Sequence, residues 1–138
     1  MADAPTSTPA VADEPPISLY EQAGGMPFFE ALVGRFYEAV STDDLLRPIY
    51  PEADLAPATR RLTLFMAQYW GGPTIYDRER GHPRLRMRHG PFGIGTPERD
   101  RWLLHMRASI DASDADETVR ARLHAYVTMA AEAMRNRP

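Results

Sequence analysis

The sequence predicts an all-α protein, and three observations lead to that prediction. Large apolar residues repeat at intervals of three and four along several stretches of the chain, which is the spacing of one helix face. The sequence contains no alternation of apolar and polar residues long enough to predict a strand. Residues typical of helix ends flank the apolar stretches. The length of 138 residues suits one domain with its own core.

Two long helices are predicted in the first half of the chain, after a short one. The short helix begins at Ser18, which has capping-box spacing to Glu21, and it ends at Gly24-Gly25. The first long helix has an apolar face made of Phe29, Leu32, Val33, Phe36, Tyr37 and Val40. The second begins near Pro57 and ends at Gly71-Gly72-Pro73. Its apolar face is made of Leu62, Phe65, Met66, Tyr69 and Trp70.

Irregular segments are predicted on either side of the second long helix. Pro48 and Pro51 bracket Ile49 and Tyr50, a pattern that favours irregular chain. A loop is predicted from the glycine pair at 71–72 to about residue 80, and a short helix over residues 85–89. Gly90, Pro91, Gly93 and Gly95 then interrupt regular structure.

Two more helices are predicted in the second half of the chain. Thr96-Pro97-Glu98 combines a cap, a proline and an acidic residue in the order typical of a helix start. Trp102, Leu103, Met106 and Ile110 form the apolar face of this helix. Asp114-Ala115-Asp116-Glu117 predicts the start of the last helix. Its inward face is made of Val119, Leu123, Tyr126, Val127, Ala130 and Met134.

Composition limits the possible functions. Residues 1–17 are expected to form a disordered Pro/Ala-rich tail and residues 18–138 the folded domain. The chain has no cysteine and no lysine, which excludes thiolate, Schiff-base and P-loop chemistry. It lacks the apolar run of a membrane span and the features of a signal peptide, so a cytoplasmic location is expected. A net charge of −3 argues against nucleic-acid binding.

The four histidines predict no metal site built from several protein ligands. A single histidine is nevertheless sufficient for haem, because the porphyrin supplies four further nitrogens. His89 is the candidate, since Leu85 lies one helical turn earlier and could pack under a flat apolar ligand. The alternative is an exposed histidine in a basic loop. His105 and His124 are interpreted as polar residues on amphipathic helices.

Arginines and aromatic residues leave two further questions open. Arginines occupy positions 78, 80, 84, 86 and 88, and they indicate either a solvated face or a site for anions such as carboxylates, phosphate or RNA. Tyr37, Tyr50 and Trp102 are either ordinary core aromatics or hydrogen-bond donors that meet in one cavity. Periodicity alone does not decide whether they converge.

Several longer motifs resemble a known family. They are Tyr20-Glu-Gln-Ala-Gly-Gly25, Arg35-Phe-Tyr37, Arg47-Pro-Ile-Tyr50-Pro51, Gln68-Tyr-Trp-Gly-Gly-Pro73, the stretch from Arg80 to His89, and Glu98-Arg-Asp-Arg-Trp102. In order and spacing they resemble the truncated haemoglobins of the second group, the type common in actinobacteria. The resemblance covers residues 18–135. It implies a two-over-two helical sandwich around non-covalent haem b.

The resemblance also assigns site residues. His89 matches the proximal iron ligand, and Tyr37, Tyr50 and Trp102 match the distal hydrogen-bond donors. Leu62 matches the apolar distal position of the family's E helix, and Ala58, one turn earlier, lies where larger globins often have a histidine. The other residues expected to line the haem are Phe65, Met66, Leu85, Phe92, Ile94 and Met106. The candidates for the propionates are Arg61, Tyr76, Arg86 and Arg88.

The implied function is binding of O2 and other small ligands, with slow release of O2. Slow release favours a redox role such as oxidation of NO or peroxide chemistry, for which the partners would be O2, NO, CO, peroxide, anionic ferric ligands and an unknown reductase. A homodimer is possible. The alternatives are a passive oxygen carrier or sensor, and a haem-free helical module that binds another macromolecule.

Overall fold

The computed structural model describes residues 17–81 and 92–137. These residues form α1 (Leu19–Ala23), α2 (Met26–Ser41), a 3-10 helix (Arg47–Ile49), α3 (Ala56–Tyr69), α4 (Ile75–Arg80), α5 (Thr96–Asp111) and α6 (Glu117–Met134). They contain no strand, which confirms the all-α prediction. Nearly all of the predicted tail and the whole predicted helix over residues 85–89 lie outside the described residues.

The first three helices begin and end where the sequence predicts. The Ser18 hydroxyl accepts a hydrogen bond from the Glu21 amide at 3.2 Å, and Gly24 ends α1 with a φ of 121° that only glycine adopts readily. Proline lies in the first turn of both α2 and α3. α3 ends at Tyr69, just before Gly71 with its φ of 106°.

The sequence located the start of α6 but misplaced the N-cap of α5 by one residue. Gly95, not Thr96, is the N-cap of α5, because the Glu98 carboxylate accepts a hydrogen bond from the Gly95 amide at 2.8 Å. The cap is therefore one residue earlier than predicted. α6 has Asp116 as its N-cap, with its carboxylate 2.9 Å from the Val119 amide. Of the described helices, none is long and apolar enough to cross a membrane.

The loop predicted up to residue 80 is wrong, because residues 75–80 form α4. The Gln68 side chain accepts a hydrogen bond from the Asp77 amide at 2.9 Å and so satisfies one free donor of the first turn. Asp77 in the first turn and Arg78 in the last turn complement the helix dipole. Tyr76 is buried, which fixes this short helix against the core.

The helices pack as two pairs, with α2 and α3 in one layer and α5 and α6 in the other. The layers meet along α2 and α5. There the Ser109 hydroxyl donates to the Leu32 carbonyl at 2.6 Å, and the Arg35 guanidinium donates to the Ser109 carbonyl at 2.9 Å. The largest fully buried side chains are Phe29, Phe36, Leu32, Met66, Met106, Ile110, Leu123, Val33, Val40, Val119 and Val127. The two-over-two sandwich is thereby confirmed.

Gly72 and Gly34 provide a matched pair of stability tests. A Cβ at Gly72 would lie 2.6 Å from the Tyr20 ring and 2.8 Å from the Ala67 carbonyl oxygen, whereas a Cβ at Gly34 in α2 would meet nothing within 4 Å. We expect Gly72→Ala to destabilise the protein by about 1–3 kcal/mol through overpacking. Gly34→Ala should stabilise it by about 0.5–1 kcal/mol. Thermal unfolding of the haem-loaded variants measures both. Equal melting temperatures would contradict the packing described for Gly72.

Candidate functional site

A cavity of about 520 Å³ lies between the two helix layers. Its walls come from α2, the 3-10 helix and the residues after it, α3, α4, α5, α6 and the segment before α5. The predicted site residues that line it are Tyr37, Tyr50, Arg61, Leu62, Phe65, Met66, Tyr76, Phe92, Ile94 and Trp102. Met106 is fully buried but is not among the lining residues. Leu85, Arg86, Arg88 and His89 lie outside the described residues.

The cavity also has lining residues that the sequence did not single out for the site. They are Leu46, Ile49, Pro51, Glu52, Glu98, Arg99, Tyr126, Val127, Ala130, Ala131 and Met134. Ala58, named above for its distal position, and Arg80, from the arginine run, line the cavity as well. The inward face predicted for α6 already contains four of these residues, so its periodicity was a usable signal. Glu98 and Arg99 belong to the polar first turn of α5, where no sequence pattern points to a cavity.

Three aromatic donors converge on one side of this cavity. The rings of Tyr37 and Tyr50 have their centroids 5.4 Å apart at an interplanar angle of 82°. Phe36 contacts both Tyr37 and Trp102 edge to face, with centroid distances of 4.9 Å and 5.5 Å. The fully buried Phe36 ring therefore separates and supports two of the three donors.

Both tyrosine hydroxyls are protonated at neutral pH. Burial raises the pKa of Tyr37 well above 10, and the charge and hydrogen bonding of Tyr50 act in the same direction. Burial also raises the pKa of Tyr50, although its hydrogen bond with Tyr37 opposes this.

Arg47 determines the path of the chain around Tyr50. Its guanidinium donates to the carbonyl of Tyr50 at 2.9 Å and to those of Glu52 and Ala53 at 2.8 Å and 3.0 Å. Three carbonyl groups within four residues of irregular chain thus share one rigid donor. Tyr50 is held by this arrangement although it belongs to no helix.

Asp43 connects this irregular chain to α5. Its Oδ1 atom accepts the amides of Leu45 and Leu46 at 2.8 Å and 3.0 Å. Its Oδ2 atom lies 2.6 Å from His105 Nε2 and 3.0 Å from Arg101 Nη1. The Asp43 side chain is only 2% exposed. A buried carboxylate therefore joins the segment that leads to Tyr50 to the helix that contains Trp102.

The environment of Asp43 favours its charged form. Burial alone would raise the pKa of this carboxyl, but hydrogen bonds from His105, from the amides of Leu46 and Leu45 and from Arg101 outweigh burial. The pKa of Asp43 is consequently well below its usual range. Asp43 is therefore ionised at any pH at which the fold is normally handled.

Charged groups also line part of the cavity. Arg61 and Glu52 form an ion pair at 2.8 Å, and each side chain is about one-third exposed, at 35% and 33%. The Arg80 guanidinium lies over the Tyr76 ring, 5.9 Å from its centroid. Arg99 pairs with Asp100 at 3.0 Å and also with Glu132. The apolar walls are thus accompanied by three guanidinium groups.

The two histidines that the structure describes are both hydrogen-bonded to aspartates. His105 contacts Asp43, and His124 Nε2 lies 2.8 Å from Asp111 Oδ1. Neither lines the cavity. Within residues 17–81 and 92–137, no group of three His, Asp or Glu side chains could hold a metal ion.

The arrangement fits a flat apolar group that bears carboxylates. Its walls offer aromatic and aliphatic contact, its guanidinium groups can pair with carboxylates, and three aromatic donors face one side. A two-over-two helical sandwich with such a cavity defines a haem protein of the small globin class.

Comparison with known proteins agrees with this class. The sequence model of the bacterial-like globin family matches residues 18–136. A group 2 truncated haemoglobin of Bacillus subtilis is 38% identical over 115 residues, which cover 83% of this chain and 86% of that protein. The crystal structure of a thermostable haemoglobin from Thermobifida fusca is 53% identical, with a TM-score of 0.87 over 88% of this chain and 99% of that one.

A third similar protein is described as a truncated oxygen-avid haemoglobin from Bacillus subtilis. It is 38% identical, with a TM-score of 0.81 over 87% of this chain and all of that one. The chain belongs to the bacterial-like globin family, as a truncated haemoglobin of the second group. As a member of this family it binds haem b non-covalently and binds oxygen.

Asp43→Asn tests the buried carboxylate. The variant keeps the shape but places an amide against two donors, so we expect a loss of about 1–3 kcal/mol of stability at pH 7. Because the folded-state pKa is depressed, the stabilising effect of Asp43 is complete above its unfolded pKa of about 4 and declines as pH falls below that value. The difference between wild type and variant should shrink in the same range.

Denaturant unfolding between pH 3 and pH 7 measures this difference. Asp44→Asn is the control, because Asp44 is the next residue and is exposed. We expect it to change stability by less than about 0.5 kcal/mol. A destabilisation by Asp43→Asn that is the same at every pH would argue against a role for the charge.

Proposed function

We propose that Tyr37, Tyr50 and Trp102 donate hydrogen bonds to oxygen held in the cavity and slow its release, and that the protein uses this retention for redox chemistry. The observation that supports the proposal is the convergence of the three donors on one side of the cavity. Their environment adds to the support, since both phenols keep their protons at neutral pH.

Haem supplies the iron atom that binds O2 and other small ligands. The contribution of the chain is to place donors where negative charge accumulates on the ligand. Arg47 fixes the backbone on which Tyr50 lies, and the Tyr37 ring packs edge to face on the Tyr50 ring. In a largely apolar pocket, the loss of one such hydrogen bond costs about 1–3 kcal/mol. The same donors favour anionic ligands that accept hydrogen bonds, such as fluoride or hydroxide.

His89 is proposed as the iron ligand. The motif from Arg80 to His89 supports this assignment, although these residues other than Arg80 and Gly81 lie outside the described part of the chain. The surroundings of the described histidines support it further, because His105 and His124 are each hydrogen-bonded to an aspartate away from the cavity. His82 and His89 are the remaining histidines.

The propionates are proposed to pair with arginines at the cavity. Two of the predicted propionate partners, Arg61 and Tyr76, line it. Arg80 and Arg99 also line it, although they were not among the predicted propionate partners. Arg61 also pairs with Glu52, so a propionate would share or replace that carboxylate as its partner. Arg86 and Arg88 remain candidates outside the described residues.

Slow release is of little use to a protein that delivers oxygen, and it suits one that holds oxygen for a reaction. Oxidation of NO to nitrate by O2 requires one further electron, so a reductase is part of the proposal. Peroxide chemistry at ferric iron is the second candidate activity. The alternative, a passive carrier or sensor, predicts fast release. A homodimer and a cytoplasmic location stay predictions of the sequence.

Trp102→Phe tests the proposed donor while nearly preserving ring volume. We expect release of O2 to accelerate by about 5- to 150-fold, which corresponds to the loss of one hydrogen bond in a dry pocket. Stopped-flow displacement of O2 by CO measures the rate. Trp70→Phe is the control, because Trp70 does not line the cavity, and it should change the rate by less than about twofold. An unchanged rate in Trp102→Phe would show that Trp102 only packs in the pocket and donates no hydrogen bond to O2.

His89→Ala tests the proposed iron ligand. We expect the variant to lose haem or to hold it weakly, with a spectrum unlike that of a histidine-ligated globin, because the iron then lacks its protein ligand. Absorption spectra of the ferric, reduced and CO-treated forms report the change. His124→Ala serves as control and should retain the wild-type spectra. Tightly held haem with unchanged spectra in His89→Ala would refute the assignment.

A further inference from the structure

We propose that Asn136, in the segment that follows α6, is a positioning residue of the haem pocket. Its side chain fastens residues 92–95 to the end of α6 and so limits the escape of haem. No sequence pattern assigns a function to this segment. Asn136 is separated by more than forty positions from the residues 92 and 94 that it contacts.

Four hydrogen bonds form this connection. Asn136 Nδ2 donates to the Phe92 carbonyl at 2.8 Å, and Asn136 Oδ1 accepts the Ile94 amide at 2.9 Å. The backbone amides of Asn136 and Arg137 both donate to the Ile94 carbonyl, at 2.8 Å and 3.0 Å. The amide side chain uses its donor and its acceptor at once, which a carboxylate or a hydrocarbon side chain could not do.

The connection joins two parts of the same cavity wall. Phe92 and Ile94 line the cavity from the segment before α5, and Ala130, Ala131 and Met134 line it from the last turns of α6. The two parts belong to different elements. Asn136 therefore fixes the distance between two apolar surfaces that would both face a bound haem.

The segment over residues 92–95 depends on such outside partners. Residues 92–94 make no helical or strand bonds, so their backbone groups must be satisfied elsewhere. Glu98 accepts the Gly95 amide at 2.8 Å, and Asn136 and Arg137 satisfy the groups of Phe92 and Ile94. Gly93 within this segment could have made this part of the cavity wall flexible. At Gly93 a Cβ would lie 2.6 Å from Arg137 Nε, so the segment after α6 packs directly on it.

Ion pairs also hold the end of α6 in place. Glu132 pairs with Arg135 at 2.8 Å and also with Arg99, near the start of α5. Hydrogen bonds from Arg135 and Arg99 lower the pKa of Glu132 to about 2. Arg135 also donates to the Arg137 carbonyl at 3.4 Å, so it belongs to the same connection, and a control for Asn136 must come from elsewhere on α6.

Haem loss is the measurement that tests the proposal. The ferric haem-loaded protein is mixed with an excess of a haem-scavenging apoglobin, and the transfer rate is followed by absorbance. We expect Asn136→Ala to accelerate transfer by about 5- to 30-fold, the effect of two lost hydrogen bonds. Asn136→Asp should be intermediate, because it keeps the acceptor for Ile94 but loses the donor to Phe92. The control His124→Ala, on α6 but outside the cavity lining, should remain within about twofold of wild type.

Hydrogen exchange of the Ile94 amide separates a local effect from general unfolding. The proposal expects faster exchange there in Asn136→Ala while the core amides of α2 remain protected. Equal haem loss in Asn136→Ala and His124→Ala, or unchanged loss in Asn136→Ala, would overturn it. Release of O2 should be unaffected by Asn136→Ala, whereas Trp102→Phe should alter O2 release and leave haem transfer unchanged. Failure of this proposal is thus distinguishable from failure of the proposed distal function.

Discussion

The carboxylate of Asp43 accepts hydrogen bonds from the chain that leads to Tyr50 and from two side chains of α5, the helix that contains Trp102. The proposed oxygen donors come from separate elements, and only contacts between those elements can hold the donors at fixed distances. A buried, ionised carboxylate suits this purpose because its partners cannot leave without stranding a charge in the interior. Phe36 makes the corresponding apolar contact between Tyr37 and Trp102. The distal geometry depends on these two connections together.

The part of the cavity wall formed by residues 92–95 and the end of α6 is organised in a different way. Residues 92–95 form no regular structure, and the segment after α6 supplies their hydrogen-bond partners. One wall is therefore positioned by a buried charge and the other by an amide side chain and backbone amides. In the proposed function the first arrangement affects how a small ligand is held, and in the further proposal the second affects how firmly the cofactor is kept. Substitutions in the two regions should consequently separate ligand release from haem loss.

Much of the fold was predictable because helix boundaries are local. Ser18, Gly24 and Pro57 determine ends through caps, positive φ and fixed φ, and each acts within a few residues. The prediction was wrong for α4, since Tyr76 in the core and Gln68 on α3 stabilise a six-residue helix that has weak local signals. It was displaced by one residue at Gly95, where the Glu98 carboxylate decides which residue is the cap.

The sequence by itself determined the helical class, the apolar faces, the absence of cysteine and lysine chemistry, and the resemblance that selected Tyr37, Tyr50 and Trp102. These properties follow from residue type and from spacing along the chain. Only the tertiary structure decided that the three donors converge, that Asp43 joins their elements, and that Asn136 closes the wall at Phe92. Those contacts connect residues that are far apart in the chain, such as Asp43 and His105, which are 62 positions apart. No local periodicity encodes such pairs, because they depend on how the helices pack.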